Sequence, residues 1–131
     1  RNAEMRAVRD ELEAMGHKVT SRWIDLHAGS TSYLSADALG ILEKSFTPEQ
    51  LSATPDLCSA YAIADWADLD SAVCVISFTC GTGGKGGRHV EFGVGAALGK
   101  RLIVVGPREH VFHTLPEVEW FEDWPACRKA L

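Results

Sequence analysis

The sequence predicts an α/β protein whose parallel sheet is flanked by helices on both faces, and three observations carry that expectation. Val73–Thr79 and Leu102–Val105 are short, nearly continuous apolar runs rich in β-branched residues, the pattern of strands buried on both sides. Helical patterns over Pro55–Asp70 and Arg88–Leu98 precede and separate them, and strands that alternate with helices pair in parallel. A chain of 131 residues is long enough for one domain with its own core.

The elements follow in order. Met5, Val8, Leu12 and Met15 recur at helical spacing among charged residues, so Ala3–Met15 is an amphipathic helix. Gly16 supplies its C-terminal stop. Lys18–Ile24 reads as a short strand, with Val19, Trp23 and Ile24 apolar. Residues 25–45 read as a long polar loop with a helical turn near Ala36–Leu42, the kind of insertion that serves as a lid or specificity loop. Thr47-Pro48-Glu49-Gln50 has capping-box spacing with proline at the first helical position. Thr54-Pro55-Asp56 repeats the start signal for the main helix. Gly99 caps the Arg88–Leu98 helix, and Gly106-Pro107 stops the second strand. Val118–Phe121 is a further short strand, and Asp123-Trp124-Pro125 opens the last helix.

Composition removes several functional classes. Charged residues make up 24% and the formal charge is −5, which argues against a nucleic-acid backbone as main partner. No apolar run reaches the roughly 18 residues that span a bilayer, and no signal-peptide pattern is present. Cys58, Cys74, Cys80 and Cys127 lack zinc-site spacing, and Cys74 falls in an apolar strand where a buried thiol is expected. The protein is read as cytoplasmic and reduced, with no cofactor and no metal.

The chemistry-bearing stretch lies between the two apolar strands. Cys80–Gly87 holds five glycines in eight residues, a loop that costs conformational entropy to order. Close approach of backbone N–H groups to a phosphate or carboxylate compensates such a cost. The loop is not a Walker A motif, because Lys85 is followed by Gly86 and the upstream glycine is missing. Nor is it a dinucleotide fingerprint, because the acid expected about 20 residues on is absent. Glu91 is expected in the first turn of the following helix, where the dipole favours an ionised carboxylate fit for nucleophilic attack. The alternative is an ordinary helix-start acid. Arg88 is either an anion holder or a solvated surface charge. His89, a lone histidine in this reading, is a polar wall of the site and a poor metal ligand; His110 and His113 are read as loop or interface residues. Asp65 and Asp68 share a helix face at a spacing that repels and oppose their helix dipole, a cost accepted more readily at a site than on a solvated face. Trp23, at the end of a strand leading into the long loop, is the aromatic to watch at a site, most others being read as core or interface residues.

Ala64-Asp65-Trp66-Ala67-Asp68-Leu69, Ser77-Phe78-Thr79, Gly87-Arg88-His89-Val90-Glu91-Phe92-Gly93 and Gly99–Gly106, with Pro107–His113 behind them, resemble the nucleoside 2-deoxyribosyltransferase family and its nucleotide N-glycosidase relatives, in a phage and bacterial branch. The resemblance covers most of the chain and is weakest over residues 26–53. It implies a single Rossmann-like (flavodoxin-like) domain over residues 1–131 and cleavage of the N-glycosidic bond of a (deoxy)nucleoside or its 5′-monophosphate. Glu91 matches the glutamate that attacks the anomeric carbon, and Asp65 matches the acid that positions or protonates the leaving base. This is the logic of retaining glycosyl transfer. Thr79, Gly81, Thr82, Gly86, Gly87, Arg88, His89, Asp68 and Trp23 are the expected substrate-binding residues. A homo-oligomer is implied, with a small nucleoside or nucleotide as ligand and no membrane partner.

Three departures qualify the match. Lys85 stands where many members carry an acid six residues before the glutamate, and suits a phosphate. Val73 replaces the acid usual at the start of the central strand. The family's opening strand would precede Arg1, so the sheet is expected to lack its first family strand and the isolated chain to be poorly active or unstable. The alternative function is a non-catalytic nucleotide-binding or sensing module on the same scaffold.

Overall fold

A computed structural model describes residues 2–25, 48–53, 55–81 and 86–131. The chain divides into two compact units, residues 1–71 and 72–131. No helix among the described residues is long and apolar enough to cross a membrane.

In the first unit α1 spans Asn2–Ala14, and Met5 and Val8 are buried on its apolar stripe. Gly16 ends it with φ +90°. The Gly16 N–H donates to Glu13 O at 3.0 Å and the His17 N–H to Leu12 O at 3.0 Å, the paired bonds of a Schellman stop. The strand expected over Lys18–Ile24 is not formed; Arg22–Asp25 is a 3-10 turn instead. Its polar groups are drawn to helix α3, Pro55–Ser71, rather than to a sheet ladder. The Arg22 backbone N–H and Nε donate to the Asp68 carboxylate at 3.0 and 2.6 Å, and Thr20 Oγ1 donates to Asp68 O at 2.8 Å. Arg22 thereby offsets the acid's unfavourable place near the helix C-terminus. Helix α2, Pro48–Ala53, begins at the expected proline. The expected long loop over residues 25–45, with its helical turn, lies outside the described residues apart from Asp25.

The second unit holds a three-stranded parallel sheet in the order β1-β2-β3, formed by Cys74–Phe78, Arg101–Val105 and Val118–Phe121. Helix α4, Gly87–Ala97, joins β1 to β2, and α5, Trp124–Ala130, follows β3. Strand alternation sorts the core into two layers. Leu102 and Val104 pack with Phe92 and Ala96 of α4 on one face, while Ile103 and Val105 pack with Cys127 and Trp124 of α5 on the other. Helices on both faces of a parallel sheet are therefore present within this unit. Burial on both sides holds for β2 but not for β1, where only Ser77 is buried and Val73, just before it, is 84% exposed. Among the described residues β1 is paired along one edge only, to β2.

Two helix features rest on single residues. A Cβ on Gly95 would lie 2.8 Å from Val75 Cγ2 and 3.2 Å from Leu102 Cδ2, so glycine sets the distance of α4 from the sheet. Gly95→Ala is expected to cost about 1–3 kcal/mol through overpacking, read as a lowered urea midpoint at constant m. Asp123 is the N-cap of α5 and accepts from the Ala126 N–H at 2.9 Å. Asp123→Ala is expected to cost about 1 kcal/mol, and Asp123→Asn much less, in the same unfolding assay. The Cys127 thiol is wholly buried, and desolvation pushes its pKa up to about 11, so it stays protonated and inert.

Candidate functional site

The site grows from the C-terminal end of the sheet, where parallel α/β folds leave room for ligands. Thr79 follows β1 directly. Its N–H and Oγ1 both donate to Val105 O, at 2.9 and 3.2 Å, and it is 2% exposed. The hydroxyl expected to meet substrate therefore fastens the strand ends together. Gly81 and Gly86 take φ +109° and +89°, backbone that favours glycine. Gly86 is the N-cap of α4, and its carbonyl accepts from the His89 and Val90 N–H groups at 3.0 and 3.2 Å. Gly87 is the first helical residue. Thr82 and Lys85 lie outside the described residues.

Because α4 begins at Gly87, Glu91 is in its second turn and not the first. The dipole acts mainly within the first turn, so burial dominates instead and raises the carboxyl pKa above the ordinary glutamate value. The physical reason is helical periodicity. Residues 88, 91, 92 and 95 form one stripe, of which Phe92 and Gly95 are fully buried against the sheet and Arg88 and Glu91 are half-buried. Ser77, also buried, has a hydroxyl without a hydrogen-bond partner among the described residues. It alternates onto the same face of β1 as Val75, which packs against α4. Ser77 falls within the Ser77-Phe78-Thr79 string of the resemblance but is not singled out there as a site residue, since it reads as one polar residue in an apolar strand.

Arg88 is not a solvated charge. Its side chain is 18% exposed and its Nη2 donates to Glu109 Oε1 at 2.5 Å. The Nε and Nη1 groups are buried with no partner among the described residues, two cationic donors left over for an acceptor. Glu109 Oε2 also lies 3.7 Å from His89 Nε2.

His89 is not alone. His110 Nε2 lies 3.1 Å from His89 Nδ1, and the His110 and His113 ring centroids are 3.8 Å apart. The cause is local: His110 is the N-cap of a 3-10 turn, Val111–Thr114, and a 3-10 helix eclipses positions three apart. His113 is 1% exposed. Burial, with His110 next, lowers its pKa and favours a neutral ring. The missed signal was the His-x-x-His spacing of 110 and 113, which sets both rings on one side wherever the segment is helical.

Asp65, Asp68 and Trp23 belong to the first unit, and Glu91, Arg88 and His89 to the second. Asp65 and Trp23 are half-buried. The Asp68 side chain, 12% exposed, is engaged with Arg22. In comparisons with known proteins, no family model, no curated protein and no solved structure matches the chain.

Proposed function

We propose that the protein is a Rossmann-like cytoplasmic enzyme that cleaves the N-glycosidic bond of a (deoxy)nucleoside or nucleoside 5′-monophosphate, active as a homo-oligomer. The observation that carries this reading is Glu91: a half-buried carboxylate on the sheet-facing stripe of the helix that follows the glycine loop, raised in pKa by desolvation alone. A carboxylate that has lost water is a stronger nucleophile than a surface glutamate.

In the proposed reaction Glu91 Oε attacks the anomeric carbon. The C1′–N bond breaks, its electron pair leaves with the base, and an acid, the role that the resemblance gives to Asp65, supplies a proton to the departing nitrogen. Water or a second base then attacks the same carbon, releases Glu91 and returns a proton to the acid spent in the first step, so hydrolysis and transfer differ only in the acceptor. The unpartnered Nε and Nη1 of Arg88, with the glycine-capped start of α4, favour a substrate that carries a phosphate. Those same donors would serve a non-catalytic nucleotide-binding module equally well, which is the second reading.

The test is chromatographic release of free base from a panel of nucleosides and 5′-monophosphates, with and without an acceptor base. Release from a monophosphate in water alone identifies a hydrolase. Exchange only in the presence of an acceptor identifies a transferase. Tight binding with no release from any substrate favours the binding module. Arg88→Gln is expected to raise KM for a monophosphate about tenfold or more while leaving the corresponding nucleoside nearly unaffected.

A further inference from the structure

His89, His110 and His113 place ligand atoms within 4.8 Å of one another. The His89 Nδ1 to His110 Nε2 separation of 3.1 Å is close to the edge of about 3.3 Å that two nitrogens span on a tetrahedral ion with bonds of about 2.0–2.1 Å. His113 Nε2 and His110 Nδ1 are buried with no hydrogen-bond partner among the described residues. A histidine that merely fills a core finds partners for its ring nitrogens, whereas His113 leaves unmet the Nε2 that faces the cluster; an ion bound by His110 Nε2 would leave His110 Nδ1 as it is. The rings are braced from behind: His113 stacks edge-on to Phe92 with centroids 4.9 Å apart, and the Glu109 carboxylate lies beside His89 Nε2, the position from which an outer carboxylate orients a ligating imidazole.

We propose that His89, His110 and His113 bind a divalent transition-metal ion of the zinc type, with Glu109 as the outer carboxylate that orients His89. Neutral imidazole suits zinc and its neighbours in the first row, not magnesium or calcium. His89 enters through Nδ1, its Nε2 proton directed to Glu109, and His110 through Nε2. His113 now accepts the Glu109 N–H at Nδ1, at 3.2 Å. Its entry through Nε2 puts the ring proton on Nδ1, so the long Glu109 amide bond is lost and the two N–H groups must turn apart as the metal–nitrogen bond forms. Three histidines leave a fourth position for water. The ion ties the first turn of α4 to the segment after β2, whether or not the glycosidic reading of Glu91 holds.

The test uses the full chain without an affinity tag, stripped with a chelator and titrated with Zn²⁺ by calorimetry and with Co²⁺ by visible absorption. One equivalent is expected to bind, with tetrahedral cobalt bands, no thiolate charge-transfer band, and a Zn²⁺-dependent rise in Tm. His89→Gln carries the main test, because His89 is 37% exposed on a helix and its loss leaves the core intact. His89→Gln and His110→Gln are each expected to abolish the equivalent and the Tm rise, with the metal-free far-ultraviolet spectrum unchanged. Glu109→Gln is expected to weaken binding about 10–100-fold. Absence of saturable binding, a thiolate band, or full binding retained in both histidine variants overturns the proposal.

Discussion

Glu91→Gln is expected to abolish base release while leaving nucleotide binding in place, with turnover lower by about 10⁴-fold or more. The substitution keeps shape and removes only the charge that attacks the anomeric carbon. It is also expected to raise Tm, because the native carboxylate is desolvated and its raised pKa has burial as the sole cause. Loss of activity with a gain in stability is the signature of a charge retained for chemistry; loss of both would mark Glu91 as a structural residue.

The sign of the pH dependence follows from the same shift. A folded-state pKa above the unfolded one means the native chain binds the proton more tightly. This contribution to stability is present below the ordinary glutamate pKa and is lost as pH rises through the folded value. Glu91→Gln is expected to flatten that part of the stability profile. Catalysis needs the ionised form, so the acid limb of kcat/KM is expected at higher pH than an ordinary glutamate gives.

Gly106→Ala has the largest expected effect on stability. Gly106 follows β2 with φ +109°, and a Cβ there would stand 2.5 Å from Cys80 Sγ, 2.7 Å from Thr79 Oγ1 and 3.0 Å from the Cys80 backbone nitrogen. The backbone nitrogen has little freedom to yield. The residue is pinned as well: its N–H donates to Phe121 O at 2.9 Å, and its carbonyl accepts from Trp120 Nε1 at 2.7 Å. Backbone strain and collision together are expected to cost about 3 kcal/mol or more, which is about 10 °C in Tm. Gly93→Ala is the control, since a Cβ there meets nothing within 4 Å and alanine is the better helix former. A Gly106→Ala protein as stable as Gly93→Ala would show that the β2 end tolerates a shift, and that this glycine is not what holds the strand ends together.

The parts of this protein that repeat at a local period were legible in the sequence. Apolar spacing located α1, α4 and the buried strand β2, because burial of one stripe or of both faces leaves its period in the chain. Asp123 and Gly16 marked helix ends because capping is a short-range hydrogen bond between near neighbours. Lys18–Ile24 was misread because an apolar pattern alone does not say where backbone donors go, and Arg22 and Thr20 spend theirs on Asp68, more than forty residues away. Glu91 was identified as the residue of interest but placed a turn too early, since a one-residue difference at the helix start changes which force acts on the carboxylate.

The amino-acid order by itself determined the alternation of strand and helix, the glycine loop at the end of β1, and the identity of the carboxylate that follows it. Only the tertiary structure decided that Arg88 is half-buried against Glu109, that Thr79 is tied to Val105, and that His89 meets His110 and His113. Each of those contacts joins segments about twenty or more residues apart. Their partners are chosen by the register of β1 on β2 and the seat of α4 on the sheet, and neither register nor seat is written in any local stretch of the chain.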